Sequence, residues 1–293
     1  MSLPIQKHQH FPSWLKIRIS ADGKFSYVAS LINENRLNTV CDNAKCPNRN
    51  ECYNRGTATV LILGNICTRK CGFCAISTGQ PLQPDLNEPE RVLKLAQSLK
   101  LRYVVVTSVT RDDLEDGGAY IFANTIRLLK KSGFLVEVLV PDFLGKKESV
   151  IKVVDAHPDV FNHNLETVKR LQKIVRPQAD YHRSLKVLEI ASSYARDNKL
   201  NYLVKSGIMV GLGETDEEIF EAINDLFSVG CSVITIGQYL QPSSSNLPVA
   251  RFVEPSSFKK YEEFAKSIGF KDAFCGPFVR SSYMAESLFL KNI

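Results

Sequence analysis

A chain of 293 residues suits one large domain or two small ones, and 44% hydrophobic with 23% charged side chains is ordinary for a folded soluble protein with a sizeable core. No run of about 18 apolar residues is present, which excludes a membrane-spanning helix. The net charge of +6 is mild and forms no basic stripe, which argues against a nucleic-acid binder, although it could favour acidic partner proteins.

The first twenty residues contain no long apolar stretch and no small-residue cleavage site, so the protein is expected to stay in the compartment where it is made, the cytoplasm. Trp14, Leu15 and Ile17 suggest that part of this arm packs on the body. From residue 59 the pattern alternates between strand and helix. Thr59 to Gly64 is a short apolar run closed by glycine and predicts a buried strand. A helix is predicted over 88–101, a valine-rich strand over 103–109, and a helix over 119–132 that stops at Gly133. A strand over 135–140 ends at Pro141. A helix over 149–156 is stopped by His157-Pro158. A short strand over 159–163, helices over 165–174 and 185–198, and a strand over 203–210 follow. Thr215 and Glu218 form a capping-box signature for a helix reaching Val229, and 232–239 is the last predicted strand.

About six strand–helix units imply parallel strands joined by crossover helices, buried on both faces. The pattern alone leaves open an incomplete barrel or a doubly wound open sheet. Residues 1–58 and 241–293 lie outside the alternation and read as extensions around a core of 59–240.

Cysteine usage points to chemistry. Of eight cysteines, six fall between Cys41 and Cys74, and a large chain without an export signal is a poor disulfide scaffold. Cys231 and Cys275 stand alone and read as buried residues. Cys67, Cys71 and Cys74 follow the first predicted strand, where α/β folds place their active sites. A cubane iron–sulfur cluster usually has four thiolate ligands. Three thiolates leave one iron open to bind a small molecule and pass it an electron, and an electron passed to a sulfonium would release a carbon radical. The alternative, a zinc knuckle, prefers two well-separated pairs and fits this spacing poorly. Upstream, Cys41, Cys46 and Cys52 form a second triplet on a polar, asparagine-rich segment. A second cluster with an open corner, or a zinc site completed by a distant residue, both fit. A second cluster could conduct electrons, bind substrate or give up sulfide.

The spacing Cys67-Thr-Arg-Lys-Cys71-Gly-Phe-Cys74 resembles the radical S-adenosylmethionine (SAM) superfamily signature. With the upstream triplet, Ala58 to Gly64, Thr107-Ser-Val-Thr-Arg-Asp-Asp113, Asp116-Gly-Gly118, Val140-Pro-Asp-Phe143, Asn162 to Val168, Lys205 to Glu214, Gly237 to Leu240 and Gly276 to Tyr283, the chain resembles the lipoyl synthase family from about residue 13 to 287. This resemblance implies an α/β fold, an incomplete (β/α)6 TIM-like barrel of the radical SAM type. Residues 1–58 would carry the auxiliary ligands and residues 241–293 would close the site.

It also implies two 4Fe–4S clusters and SAM as cofactors, and insertion of two sulfur atoms into an octanoyl chain on a carrier-protein lysine. The first cluster would cleave SAM to a 5′-deoxyadenosyl radical, and the auxiliary cluster would be consumed as sulfur donor. Implied partners are octanoylated lipoyl domains of 2-oxoacid dehydrogenase E2 subunits and the glycine cleavage H protein. A flavodoxin or ferredoxin is expected as reductant, and the protein is expected to be a monomer. The family supplies a serine as the fourth auxiliary ligand. Ser281 and Ser282 both match, with Ser282 favoured; the plainer reading of Ser282 is a helix N-cap.

For SAM, Thr107, Ser108, Asn164 and Glu166 stand at strand ends. A carboxylate such as Glu166 can accept from ribose hydroxyls, or it could be an ordinary acid at a helix N-terminus. Gly207, Gly211 and Gly213 could allow close approach to adenine or merely shape a turn. Asp112, Asp113 and Asp116 could form a hard-cation site but read better as a solvated loop or a helix start. His163 either lines the pocket or is a buried hydrogen-bonded residue. Met284 departs from the polar residue common at that place in the family, and the short N-terminal arm suggests a bacterial-type or processed form.

Overall fold

The computed structural model describes residues 11–16, 23–283 and 285–286. A 3-10 turn at Ser13–Leu15 buries Leu15, as expected for the N-terminal arm; Ile17 and Met284 lie outside the described residues. The extension then forms α1 (Phe25–Glu34), a two-residue strand β1 (Asn38–Thr39), α2 (Val40–Asn43) and α3 (Arg49–Asn54). The core follows as β2 (Thr59–Ile62), β3 (Ile66–Cys67), β4 (Ser77–Thr78), α4 (Glu88–Ser98), β5 (Tyr103–Ser108), α5 (Ala119–Lys131), β6 (Leu135–Leu139), α6 (Lys147–Val154), β7 (Val160–Asn162), α7 (Gln172–Val175), α8 (Tyr181–Asp197), β8 (Leu203–Val210), α9 (Asp216–Ser228), β9 (Val233–Gln238), α10 (Pro255–Ile268) and β10 (Asp272–Gly276).

The sheet order is β1-β2-β5-β6-β7-β8-β9-β10, and all neighbours are parallel except β1 with β2. The run β2 to β9 supplies six consecutive parallel strands, the open (β/α)6 arrangement expected. Their residues are buried nearly throughout, because helices cover one face and the other lines the interior. The capping box at Thr215 and Glu218 is present.

Three elements differ from the sequence reading. Residues 241–293 do not lie wholly outside the alternation, since α10 crosses to β10, parallel to β9. The short strand Asp-Ala-Phe-Cys-Gly lacks the valine and isoleucine run that marks the others. The predicted helix over 165–174 is interrupted. Glu166 adopts φ +70° and bridges to Ile208, so helical structure begins only with the 3-10 turn Lys169–Leu171 and α7. Helix α8 starts at Tyr181, before the predicted residue 185, because the Asp180 side chain accepts from the Arg183 N–H and caps it.

Candidate functional site

Strand β2 runs into a left-handed turn at Leu63 and Gly64, with φ +66° and +87°. The turn is held where the buried Glu88 carboxylate accepts from the Leu63 N–H at 2.7 Å. The cysteine loop follows and is clasped by the parallel ladder of β3 and β4, with Cys67 opposite Thr78. Both neighbouring loops grip it. Gly72 donates to the Val175 carbonyl at 2.8 Å, Lys70 N–H donates to the Gln178 side chain at 2.7 Å, and Asn246 donates to the carbonyls of Gly72 and Cys74. A Cβ at Gly72 would lie 2.7 Å from the Leu247 side chain, so a larger residue there would push Leu247 aside where these loops meet. Cys67 Sγ accepts from the backbone N–H groups of Arg69 and Thr110 at 3.4 and 3.3 Å.

Arg69, inside the cysteine loop, is buried and spans two carboxylates. It donates to Asp112 at 2.6 and 2.8 Å and to Asp142 at 2.7 and 3.0 Å. Arg183 completes the cluster with a 2.8 Å bond to Asp142. Burial alone would raise the Asp142 pKa. The hydrogen bonds and charge of Arg69, with His163 and Arg183 nearby, outweigh it and hold the carboxyl well below the usual carboxylate range. Asp112 is thus part of a structural ion network rather than a solvated loop. Asp113 pairs with Arg111 and Asp116 with Lys152, so each of the three carboxylates already has a cation partner.

The second triplet is carried by two short helices and the turn between them rather than by an irregular loop. Cys41 lies in α2, capped by Thr39, and Cys52 lies in α3. Arg49 stacks over Phe25 and Tyr53, 4.9 and 5.3 Å from the ring centroids, and pairs with Asp42. Asn48 donates to the Phe278 carbonyl at 2.8 Å, and Tyr283 donates to Glu51 at 3.0 Å. These bonds dock the C-terminal segment onto the triplet.

A cavity of about 280 Å³ joins the two regions. Cys41, Cys46, Cys52 and Cys74 line it, together with Thr107, Ser108, Asn164, Glu166, Arg280 and Ser282. Cys67 and Cys71, in the same loop as Cys74, are not part of its lining. All four SAM-contact candidates therefore converge. The Ser108 hydroxyl is buried without a partner, as expected of a group awaiting a ligand. Thr107 donates to the Leu139 carbonyl, and Asn164 donates to Glu166 at 3.1 Å. Burial raises the Glu166 pKa, opposed by Arg176, by the Asn164 bond and by Arg280. Glu166 is not at a helix N-terminus, so the dipole reading does not apply. His163 is buried behind the cavity wall with Nδ1 on the Val140 carbonyl at 2.8 Å. Gly211 and Gly213, with φ +99° and +108°, shape the turn after β8. Gly207 makes room for Ser281, whose hydroxyl would lie 3.0 Å from a Cβ there.

Ser281 and Ser282 both line the cavity. The Ser281 hydroxyl donates to Asn164 Oδ1 at 2.9 Å.

The donor set suits iron–sulfur clusters. Burial pushes the thiols of Cys41 and Cys74 up to about 12 and that of Cys52 up to about 11, so these thiolates are stable only against a bound cation. Among the described residues, no three His, Cys, Asp or Glu side chains gather around a point as the ligands of one metal ion would. A cubane spreads its thiolates over separate irons and needs the wider spacing. The residues that sequence reasoning missed are Arg69, Arg176, Arg280, Glu137 and Lys205. The last two carried a signal, as lone charges inside apolar strand runs.

The radical SAM superfamily model matches residues 61–226, more than half of the chain. The structure is similar to HydG, a maturase of the [FeFe]-hydrogenase (TM-score 0.57, 17% identity, 78% of this chain and 53% of that one). It is also similar to Streptococcus suis SuiB bound to precursor peptide SuiA (TM-score 0.56, 13% identity, 74% of this chain and 48% of that one). Fold and family model together define a radical SAM enzyme. Lipoyl synthases of Caldicellulosiruptor saccharolyticus and Caldanaerobacter subterraneus are 52% and 53% identical over 94% of this chain and 96% and 95% of theirs. That of Baumannia cicadellinicola is 49% identical over 96% of both. The chain belongs to the lipoyl synthase family, and its cofactors are SAM and two 4Fe–4S clusters.

Proposed function

We propose that this enzyme inserts two sulfur atoms into an octanoyl chain on a carrier-protein lysine, with Cys67, Cys71 and Cys74 holding the SAM-cleaving cluster and Cys41, Cys46, Cys52 and Ser282 holding the auxiliary one. The observation that carries this reading is the shared cavity, which brings the second triplet and the SAM-contact candidates to one space. When bound, the first cluster supplies an electron to SAM and the auxiliary cluster supplies sulfur.

The chain's own groups orient and exclude. Backbone N–H groups of Arg69 and Thr110 stabilise negative charge on Cys67 Sγ. Glu166 and Asn164 present acceptors suited to ribose hydroxyls, and Ser108 presents a free hydroxyl. Leu61, Ile76, Leu139, Ile208 and Met209 give the cavity an apolar wall suited to an alkyl chain. Serine oxygen is a weaker ligand than thiolate for this soft centre, so Ser282 suits a corner that must later be exposed. In this reading residues 1–58 carry the auxiliary ligands, 59–240 form the barrel, and 241–293 close the site.

The substrates in general are octanoylated carrier proteins. Lipoyl domains of E2 subunits and the glycine cleavage H protein are the proposed carriers, with a flavodoxin or ferredoxin as reductant and the protein acting as a monomer. Among the described residues no helix is long and apolar enough to cross a membrane, and a cytoplasmic location is proposed. Anaerobic incubation with SAM, reductant and an octanoylated lysine peptide, read by mass spectrometry, tests the function. The peptide is expected to gain two sulfur atoms; formation of 5′-deoxyadenosine with no sulfur gained would contradict the proposal.

A further inference from the structure

The barrel floor holds a buried charge cluster that reaches the C-terminal serines. Lys205 in β8 is 3% exposed and Glu137 in β6 is 1% exposed. The Lys205 ammonium donates to Glu137 Oε1 at 2.9 Å. Glu137 also accepts from the Tyr103 hydroxyl at 2.7 Å and from Asn162 at 3.2 Å, so four adjacent strands, β5 to β8, share one carboxylate. A buried pair of this kind is weak evidence for stability, since similar apolar residues often serve as well. Lys205 makes one bond the pair does not need. It donates to the Ser281 carbonyl oxygen at 2.6 Å.

The segment receiving that bond is half-buried and packs against the strands. Its path needs Gly237, where a Cβ would lie 2.1 Å from the Val279 carbonyl oxygen, and at Gly207 a Cβ would crowd Asn164 Oδ1 and the hydroxyls of Thr235 and Ser281. Asn48 holds its start through the Phe278 carbonyl, and Glu51 holds its end through Tyr283. Lys205 is the charged anchor between them, on the residue preceding Ser282.

We infer that Lys205 is a positioning residue whose bond to the Ser281 carbonyl holds the Ser282 oxygen at the fourth corner of the auxiliary site, with Glu137 and Tyr103 fixing the ammonium. This rests on the assignment of Ser282 proposed above. A charge-assisted hydrogen bond to a carbonyl is strong enough to hold a chain turn and weak enough to be broken when that corner must open.

The test uses the full chain with Cys67, Cys71 and Cys74 all changed to Ala, so that only the auxiliary cluster forms. The measured quantity is the rate at which a chelator removes the first iron from the reconstituted protein, with the unfolding midpoint followed in parallel. Ser282→Ala is expected to speed that loss by roughly tenfold or more, and Lys205→Met to approach the same rate. Lys205→Met leaves Glu137 unpaired and lowers stability, so Lys205→Met with Glu137→Gln is the deciding variant. Neutralising both partners is expected to recover the midpoint while iron loss stays fast. If the double variant recovers both, Lys205 acts only through stability and the inference is overturned. If Ser282→Ala is fast and both Lys205 variants match the parent, Ser282 stands as ligand and the Lys205 role falls. If Ser282→Ala loses iron no faster than the parent, the ligand assignment fails and takes the Lys205 role with it.

Discussion

Glu166 enters the cavity from a backbone conformation that glutamate rarely adopts, with φ +70°. Its N–H donates to the Gly207 carbonyl and its carbonyl accepts from Met209, both at 2.9 Å, so β8 imposes the conformation and the side chain turns inward. The sequence offered Glu166 as a strand-end acid but not this reason. The six clustered cysteines were readable because their spacing is local. Arg69 was not, because its meaning depends on partners dozens of residues away, and although Glu137 and Lys205 stood out as lone charges in apolar strands, their pairing across 68 residues did not. His163 yields a prediction at this scale. Burial, with the charge of Arg176, pushes its pKa down to about 4, although the Val140 bond and Asp142 act the other way. The unfolded imidazole titrates near ~6.5. Between those values the unfolded chain binds more protons than the folded one, so stability falls as pH falls through this window and changes no further below it through this group. In urea unfolding of the apoprotein, His163→Gln is expected to remove about 1.4 kcal/mol per pH unit from the slope between roughly pH 6 and 4.5. An unchanged slope would show that His163 is already charged in the folded protein.

At the scale of elements, the predicted strands stand within one or two residues of the observed ones because each is an apolar run closed by glycine, proline or a polar turn. Misreadings arose where tertiary contacts decide. The Asp180 cap starts α8 early, the bridge at Glu166 delays α7, and β10 is a strand because it completes a sheet edge. The packing of Val279 against β9 is equally invisible in sequence, since Gly237 there looks like any strand glycine. Gly237→Ala is expected to lower the unfolding free energy by about 1–3 kcal/mol, because its Cβ meets backbone rather than a flexible side chain. Limited proteolysis should then cut between residues 277 and 283. Gly79→Ala, where the nearest atom is a side-chain carbon at 3.5 Å, is the control expected to change neither. Wild-type stability and protection in Gly237→Ala would mean that the C-terminal segment does not pack against Gly237 of β9.

For the whole molecule, the alternation of strands and helices announced an α/β fold, and a resemblance was needed to choose the open six-unit barrel over a doubly wound sheet. In the proposed function the two extensions complete the auxiliary site. The N-terminal one carries three cysteines, the C-terminal one carries Ser282, and Asn48, Glu51 and Lys205 bind the second to the first and to the barrel floor. The central claim is a division of labour between the triplets across one cavity. Its most direct test measures 5′-deoxyadenosine and sulfur-containing peptide together in two variants, one with Cys67, Cys71 and Cys74 replaced by Ala and one with Cys41, Cys46 and Cys52 replaced. The first should form neither product, and the second should still form 5′-deoxyadenosine while inserting no sulfur. Lipoyl product from the second variant, or 5′-deoxyadenosine from the first, would contradict the account.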